Sequence, residues 1–70
     1  MNSFERLVYM ANQIATNLAT DDDPVSAVAN HIELFWDPRM KRLIQENDKA
    51  GLSEVAAKAL HRLAQAHDAA

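Results

Sequence analysis

Cysteine is absent from the 70-residue chain. That excludes disulfides and thiolate metal sites as sources of stability. Glycine occurs once, at Gly51, so no glycine-rich loop can cradle a phosphate or a dinucleotide. The three histidines (His31, His61 and His67) are not spaced i, i+4, so no helical metal pair is visible. No apolar run approaches the roughly 20 residues a membrane span requires. The opening Met1-Asn2-Ser3-Phe4-Glu5-Arg6 lacks a charged-then-apolar signal pattern, and a cytoplasmic location is expected. Positive charge is also scarce. Seven Lys and Arg against ten Asp and Glu leave a net charge of −3, which argues against nucleic acid as a main partner.

What is present suits a small helical domain. The apolar fraction of 49% is inflated by alanine, which carries little hydrophobic area. A chain this short buries only about 60% of its unfolded surface, and its core supplies about 3–5 kcal/mol. Good helix packing or a partner must make up the rest, and the thin core favours a partner.

The glycine and two prolines divide the chain into four helical segments, and no stretch alternates with the period of a strand. The fold class is therefore all-α, a compact single domain over residues 1–70 with helices at about 3–19, 24–36, 38–50 and 54–66. Asn2 with Glu5 forms a capping-box pattern. The apolar stripe of the first helix is Phe4, Leu7, Val8, Ala11, Ile14, Ala15 and Leu18. Asp23-Pro24 is a cap followed by a helix-starting proline, and Val25, Val28, Ala29, Ile32, Phe35 and Trp36 form the second stripe. Asp37-Pro38 repeats the signal, so one helix ends near Trp36 and another starts at once. Met40, Leu43, Ile44 and Asn47 mark the third helix, closed by Gly51 as a left-handed terminal residue. Ser53 caps the fourth, with Val55 or Ala56, Ala59, Leu60 and Leu63 facing inward. From Gln65 the chain is expected to fray, leaving 66–70 as a tail.

Equipment for catalysis is thin. The serines at 3, 26 and 53 each fall at a helix start, where capping explains them. Asp21-Asp22-Asp23 lacks the glycine and downstream glutamate of a calcium loop and reads as a solvated helix N-terminus. His31 beside Ile32 has a packing or partner-bonding role, and His61 and His67 are surface residues of the last helix. No catalytic, cofactor-binding or metal-binding residue is assigned.

Two features remain. The run Phe35-Trp36-Asp37-Pro38-Arg39-Met40 is a sharp corner carrying two aromatics, followed by the basic residues Arg39, Lys41 and Arg42. These cations form a charged face or pair with an acidic partner; in the alternative reading, a small regulatory or DNA-binding protein uses them on duplex DNA. The first helix also carries Asn12, Gln13 and Asn17 where charges are usual. Amides are cheaper to desolvate than charges and both donate and accept, so this flank suits either a protein interface or an inter-helix hydrogen bond.

Arg6-Leu7-Val8-Tyr9-Met10-Ala11-Asn12-Gln13-Ile14-Ala15, then Ala27-Val28-Ala29-Asn30-His31-Ile32, then Phe35-Trp36-Asp37-Pro38-Arg39-Met40, closely resemble the delta subunit of bacterial NAD-dependent formate dehydrogenases. Ala50-Gly51-Leu52 resembles the family's junction before its final helix. The likeness runs over about residues 4 to 63; the triple aspartate and the single glycine at the third junction depart from it within loops. It implies an accessory or assembly subunit of a molybdenum- or tungsten-containing complex. That complex oxidises formate and passes electrons through iron–sulfur clusters and flavin to NAD⁺. The chain itself would be non-catalytic and free of cofactor, would bind the large catalytic subunit, and would be able to pair with itself when isolated. Helices 1 and 2 are expected to form a hairpin with helices 3 and 4 folded across it. Phe35 is expected in the core, and Trp36 in the core or against the partner. The partner-binding set is Met10, Gln13, Asn17, Trp36, Arg39 and Met40.

Overall fold

Residues 2–46 and 51–68 are described in a computed structural model of the chain. Four helices carry these residues, with no strand among them: α1 (Ser3–Asn17), α2 (Pro24–Phe35), α3 (Pro38–Glu46) and α4 (Glu54–Asp68). The all-α expectation holds. Each start is set by a side chain that satisfies a backbone N–H the helix cannot. Asn2 Oδ1 accepts from the Glu5 N–H at 2.7 Å, and Asp37 Oδ1 from the Met40 N–H at 2.8 Å. Asp23 Oδ1 accepts from the Ser26 N–H at 3.2 Å, and Ser53 Oγ from the Ala56 N–H at 3.2 Å.

The ends differ from the pattern in physically readable ways. α1 stops at Asn17 rather than at 19. Beyond it the chain tightens into turns, with Ala19 N–H bonded to Thr16 O and Asp21 N–H to Leu18 O. The aspartates then offer the backbone a competing partner: Asp21 Oδ1 accepts from the Asp23 N–H at 3.0 Å. α4 does the opposite. It continues through Asp68, where a fraying tail from 66 was expected, because Gln65 and Ala66 favour helix and no glycine or proline interrupts them. The expected continuation of α3 to residue 50, with Asn47, lies outside the described residues. Gly51 does have a left-handed backbone, with φ of +91°.

The core takes Leu7, Ala11 and Ala15 from α1 and Val28, Ala29 and Ile32 from α2. Trp36, Ile44 of α3, and Ala56, Ala59, Leu60 and Leu63 of α4 complete it. Alanines at 29, 56 and 59 replace bulk with close approach, and α2 against α4 is the most extensive helix contact. α1 touches all three other helices. The expected layout, a hairpin of α1 and α2 with α3 and α4 folded across it, agrees with the helix contacts. α3 packs on α1, whereas α4 packs chiefly on α2. The radius of gyration, 11.1 Å, matches the roughly 11 Å expected of a folded domain of this length.

Polar clamps fix what this small core cannot. Asn12, in the middle of α1, reaches the junction before α4: its amide nitrogen donates to Gly51 O at 2.8 Å and its oxygen accepts from the Ser53 N–H at 2.8 Å. Of the two roles open to the amides, Asn12 thus fills the internal one. Gln45 Nε2 donates to Leu60 O at 2.7 Å and ties α3 to α4. Lys41 Nζ lies 3.4 Å from the Glu33 carboxylate and donates to Glu33 O at 3.3 Å, tying α3 to α2. Ser26 joins α2 to α4, since its hydroxyl donates to Asp23 Oδ2 at 2.8 Å and accepts from the Arg62 guanidinium. The two Ser26 bonds, with Arg62 nearby, hold the Asp23 carboxyl below its ordinary value of 3.8.

Two outcomes follow for stability. Asn12→Ala strands Gly51 O and Ser53 N–H together and is expected to cost about 1–2 kcal/mol in urea unfolding, near the low end of lost buried bonds because the site is partly solvated. Asp23→Ala should lower Tm near neutral pH. Because the folded carboxyl titrates lower than the unfolded one, its contribution is complete well above pH 3.8 and is lost as the pH falls through the folded value. The Tm gap between wild type and Asp23→Ala should therefore narrow below pH 3.8.

Candidate functional site

The corner between α2 and α3 sorts two adjacent aromatics to opposite environments. The Trp36 N–H makes the last helical bond of α2, to Ile32 O at 2.9 Å. Trp36 itself has already turned to extended backbone, φ −88° and ψ 139°, one residue ahead of Asp37, whose position before Pro38 disfavours helix. The Trp36 side chain joins the core cluster and is 5% exposed. Phe35 is 72% exposed. The expectation that Phe35 lies in the core is thus corrected. Phe35 is one turn from His31 rather than from Ile32, on the flank of α2, and the two rings pack at 4.7 Å between centroids with a 39° tilt. Trp36, proposed as a partner contact, is in the core and can offer a partner only its rim.

Around the corner lie two shallow depressions. The first is lined by Tyr9, Met10, Gln13, Ile14, His31, Phe35, Trp36 and Met40, between α1 and the end of α2. Tyr9 is 55% exposed, and its hydroxyl accepts from Gln13 Nε2 at 3.3 Å. The second runs between α1 and α3 and is lined by Ser3, Arg6, Leu7, Met10, Asp37, Arg39, Met40, Arg42, Leu43 and Glu46. Met10 and Met40 line both. Among the described residues, no ion pair involves Arg6, Arg39 or Arg42.

Four of the six candidates, Met10, Gln13, Trp36 and Met40, therefore meet at one depression, and Arg39 joins Met10 and Met40 at the other. Asn17, at the far end of α1, lines neither. The basic run does not act as a unit either: Lys41 turns back onto Glu33, while Arg39 and Arg42 face the groove with Arg6. Tyr9 lies beside Met10 and Gln13 on the flank of α1 that the sequence offers as an interface, and His31 was open to a packing or partner-bonding role; Phe35 and Arg6 are the members that the sequence reading did not place there. The i, i+4 spacing of His31 and Phe35 was the available signal. Leu34, 77% exposed, belongs to neither depression.

The remaining candidates for chemistry have local tasks. Ser26 and Ser53 bond to helix starts, and Asp21 and Asp23 bond the turn and the cap of α2. Among the described residues, no group of three His, Asp or Glu side chains is placed to hold a metal ion. No helix among them is long and apolar enough to cross a membrane.

The chain is a small all-helical domain whose distinctive feature is an open surface of aromatic, methionine and arginine side chains at one corner. It belongs to the family of NADH-dependent formate dehydrogenase delta subunits, FdsD, whose family model matches residues 6–60. That span begins within the first turn of α1, takes in α2, the corner and α3, and ends within α4. No curated protein and no solved structure matches the chain.

The two aromatics should separate cleanly by substitution. Trp36→Ala is expected to cost about 3–5 kcal/mol, comparable to the whole net stability of so small a core, and to abolish helical circular dichroism at room temperature. Phe35→Ala should move the urea midpoint by less than about 0.5 kcal/mol equivalent.

Proposed function

We propose that this chain is a non-catalytic accessory or assembly subunit of an NAD-dependent formate dehydrogenase, and that it acts by binding the large catalytic subunit. Membership of the delta-subunit family over residues 6–60 is the observation that carries this reading. In it, the molybdopterin, iron–sulfur, flavin and NAD⁺ chemistry belongs to other subunits, and the delta chain contributes a surface. The complex works in the cytoplasm.

The corner supports the reading because it exposes what a solitary domain gains nothing by exposing. Phe35 is well over half exposed beside Tyr9 and Met40, although a 70-residue chain has few large apolar side chains to spare. Met10, Gln13, Arg39 and Met40 are the partner contacts, Asn17 extends the contact along α1, and Trp36 supports them from beneath. Methionine, aromatic residues and arginine are the types enriched in protein interfaces. In isolation the same face would allow two copies to pair. A DNA-binding role for Arg39, Lys41 and Arg42 draws less support, since Lys41 is bonded to Glu33.

Co-expression with the large subunit tests the proposal. The tagged chain should retain an iron-coloured complex through affinity and size-exclusion steps. Arg39→Ala and Gln13→Ala should each weaken that co-purification while leaving helical circular dichroism intact. Unchanged recovery of the complex would remove both residues from the interface.

A further inference from the structure

The two depressions at the corner are adjacent, share Met10 and Met40, and differ in character. One side is apolar and aromatic: Phe35 stands 72% exposed on the His31 ring, with Tyr9 opposite. The other gathers Arg6, Arg39 and Arg42 over a floor that includes Leu7 and Leu43. These three arginines form a positive island in a chain whose net charge is −3. Asp37 and Glu46 line the same groove, so three arginines against two carboxylates leave it one net positive charge. Asp37 is held to the Met40 N–H at 2.8 Å, and no ion pair joins Glu46 to an arginine among the described residues.

Elsewhere the described cations are used internally. Lys41 pairs with Glu33, Lys58 with Glu54, and Arg62 bonds Ser26. Three exposed guanidinium groups from two different helices line one groove, with no carboxylate within ion-pair distance of them among the described residues. Like charges gathered on one small face repel one another, and an occupant of opposite charge removes that cost.

We infer that this composite surface receives an acidic, amphipathic segment of the large formate dehydrogenase subunit. Its carboxylates lie along Arg6, Arg39 and Arg42, and an apolar side chain from it packs on Phe35 and Met40. The inference rests on the reading of the chain as a subunit of that complex and specifies which face docks and what chemistry it meets. Arginine suits the task because its fork can hold a carboxylate with two parallel bonds. The methionines suit it because an unbranched thioether adapts to the shape of the incoming apolar group. Binding at such a face is steered by charge and anchored by the aromatic contact, so it is sensitive to salt in a way that a purely apolar interface is not.

The test measures affinity of the full chain for the isolated large subunit, using the Arg39→Glu/Arg42→Glu pair, the milder Arg39→Gln/Arg42→Gln pair, Phe35→Ala, and Lys58→Glu on α4 as a control away from the corner. Circular dichroism verifies folding of each. The charge-reversed pair and Phe35→Ala are expected to weaken binding at least tenfold, the glutamine pair less, and Lys58→Glu less than twofold. Raising ionic strength from about 0.1 M to about 1 M, which shortens the screening length from about 10 Å to about 3 Å, should weaken wild type and leave the charge-reversed pair nearly unchanged. Wild-type affinity in all variants would overturn this surface while leaving the subunit reading intact. Loss with Phe35→Ala alone, without salt dependence, would overturn the acidic occupant. A wild-type chain that binds no large subunit, and instead dimerises through Phe35, would overturn both.

Discussion

Pro38 governs the molecule more than any other residue. It cannot donate a backbone bond, and it disfavours helical geometry at Asp37, the residue before it. α2 finishes at Phe35, with Trp36 at ψ 139° and Asp37 capping α3. The break leaves the large indole nearly fully buried in the core and Phe35 on the outer flank. It also sets the direction of α3, which packs on α1 and so brings Arg39 and Arg42 to the same groove as Arg6. One proline thus fixes both the main aromatic element of the core and the composition of the exposed face.

Around this corner the division of labour is clear. Stability rests on a thin aliphatic and alanine-rich core, on side-chain caps at the starts of all four helices, and on clamps that join distant segments. Asn12 holds the Gly51–Ser53 junction, Gln45 and Lys41 fasten α3, and Ser26 connects Asp23 with Arg62. None of these groups is free for a partner. What they leave over is the open face of Tyr9, Met10, Gln13, His31, Phe35 and Met40 and the adjoining arginines. For a delta subunit of a formate dehydrogenase this is an economical arrangement: helices of minimal core, with one corner left open.

Much of this was legible in the sequence. The caps at Asn2, Asp23, Asp37 and Ser53 are local, governed by a side chain and the next few backbone groups, and all four stand as the pattern implied. The motifs from Arg6 to Met40 carried the family. The failures were tertiary. A helical stripe places both Phe35 and Trp36 near the inward face, but it cannot register that the backbone leaves the helix between them. Nor could spacing alone show that Asn12 would cross to a segment some forty residues on, or that Lys41 would turn to Glu33 while its neighbours Arg39 and Arg42 did not. The ends of α1 and α4 lie within two residues of the expected bounds. Aspartates at 21–23 compete for backbone bonds locally, whereas alanine and glutamine near the C-terminus do not.

The central physical claim is that the corner buries Trp36 and exposes Phe35, and the chain's single tryptophan makes that claim directly measurable. Fluorescence of the native chain, with iodide as an aqueous quencher, reports the environment of this one indole. The expected result is blue-shifted emission that resists quenching, unchanged in Phe35→Ala and shifted to the red only on unfolding. Red-shifted, readily quenched emission from the folded protein would contradict the buried Trp36 and, with it, the arrangement of the exposed face beside it.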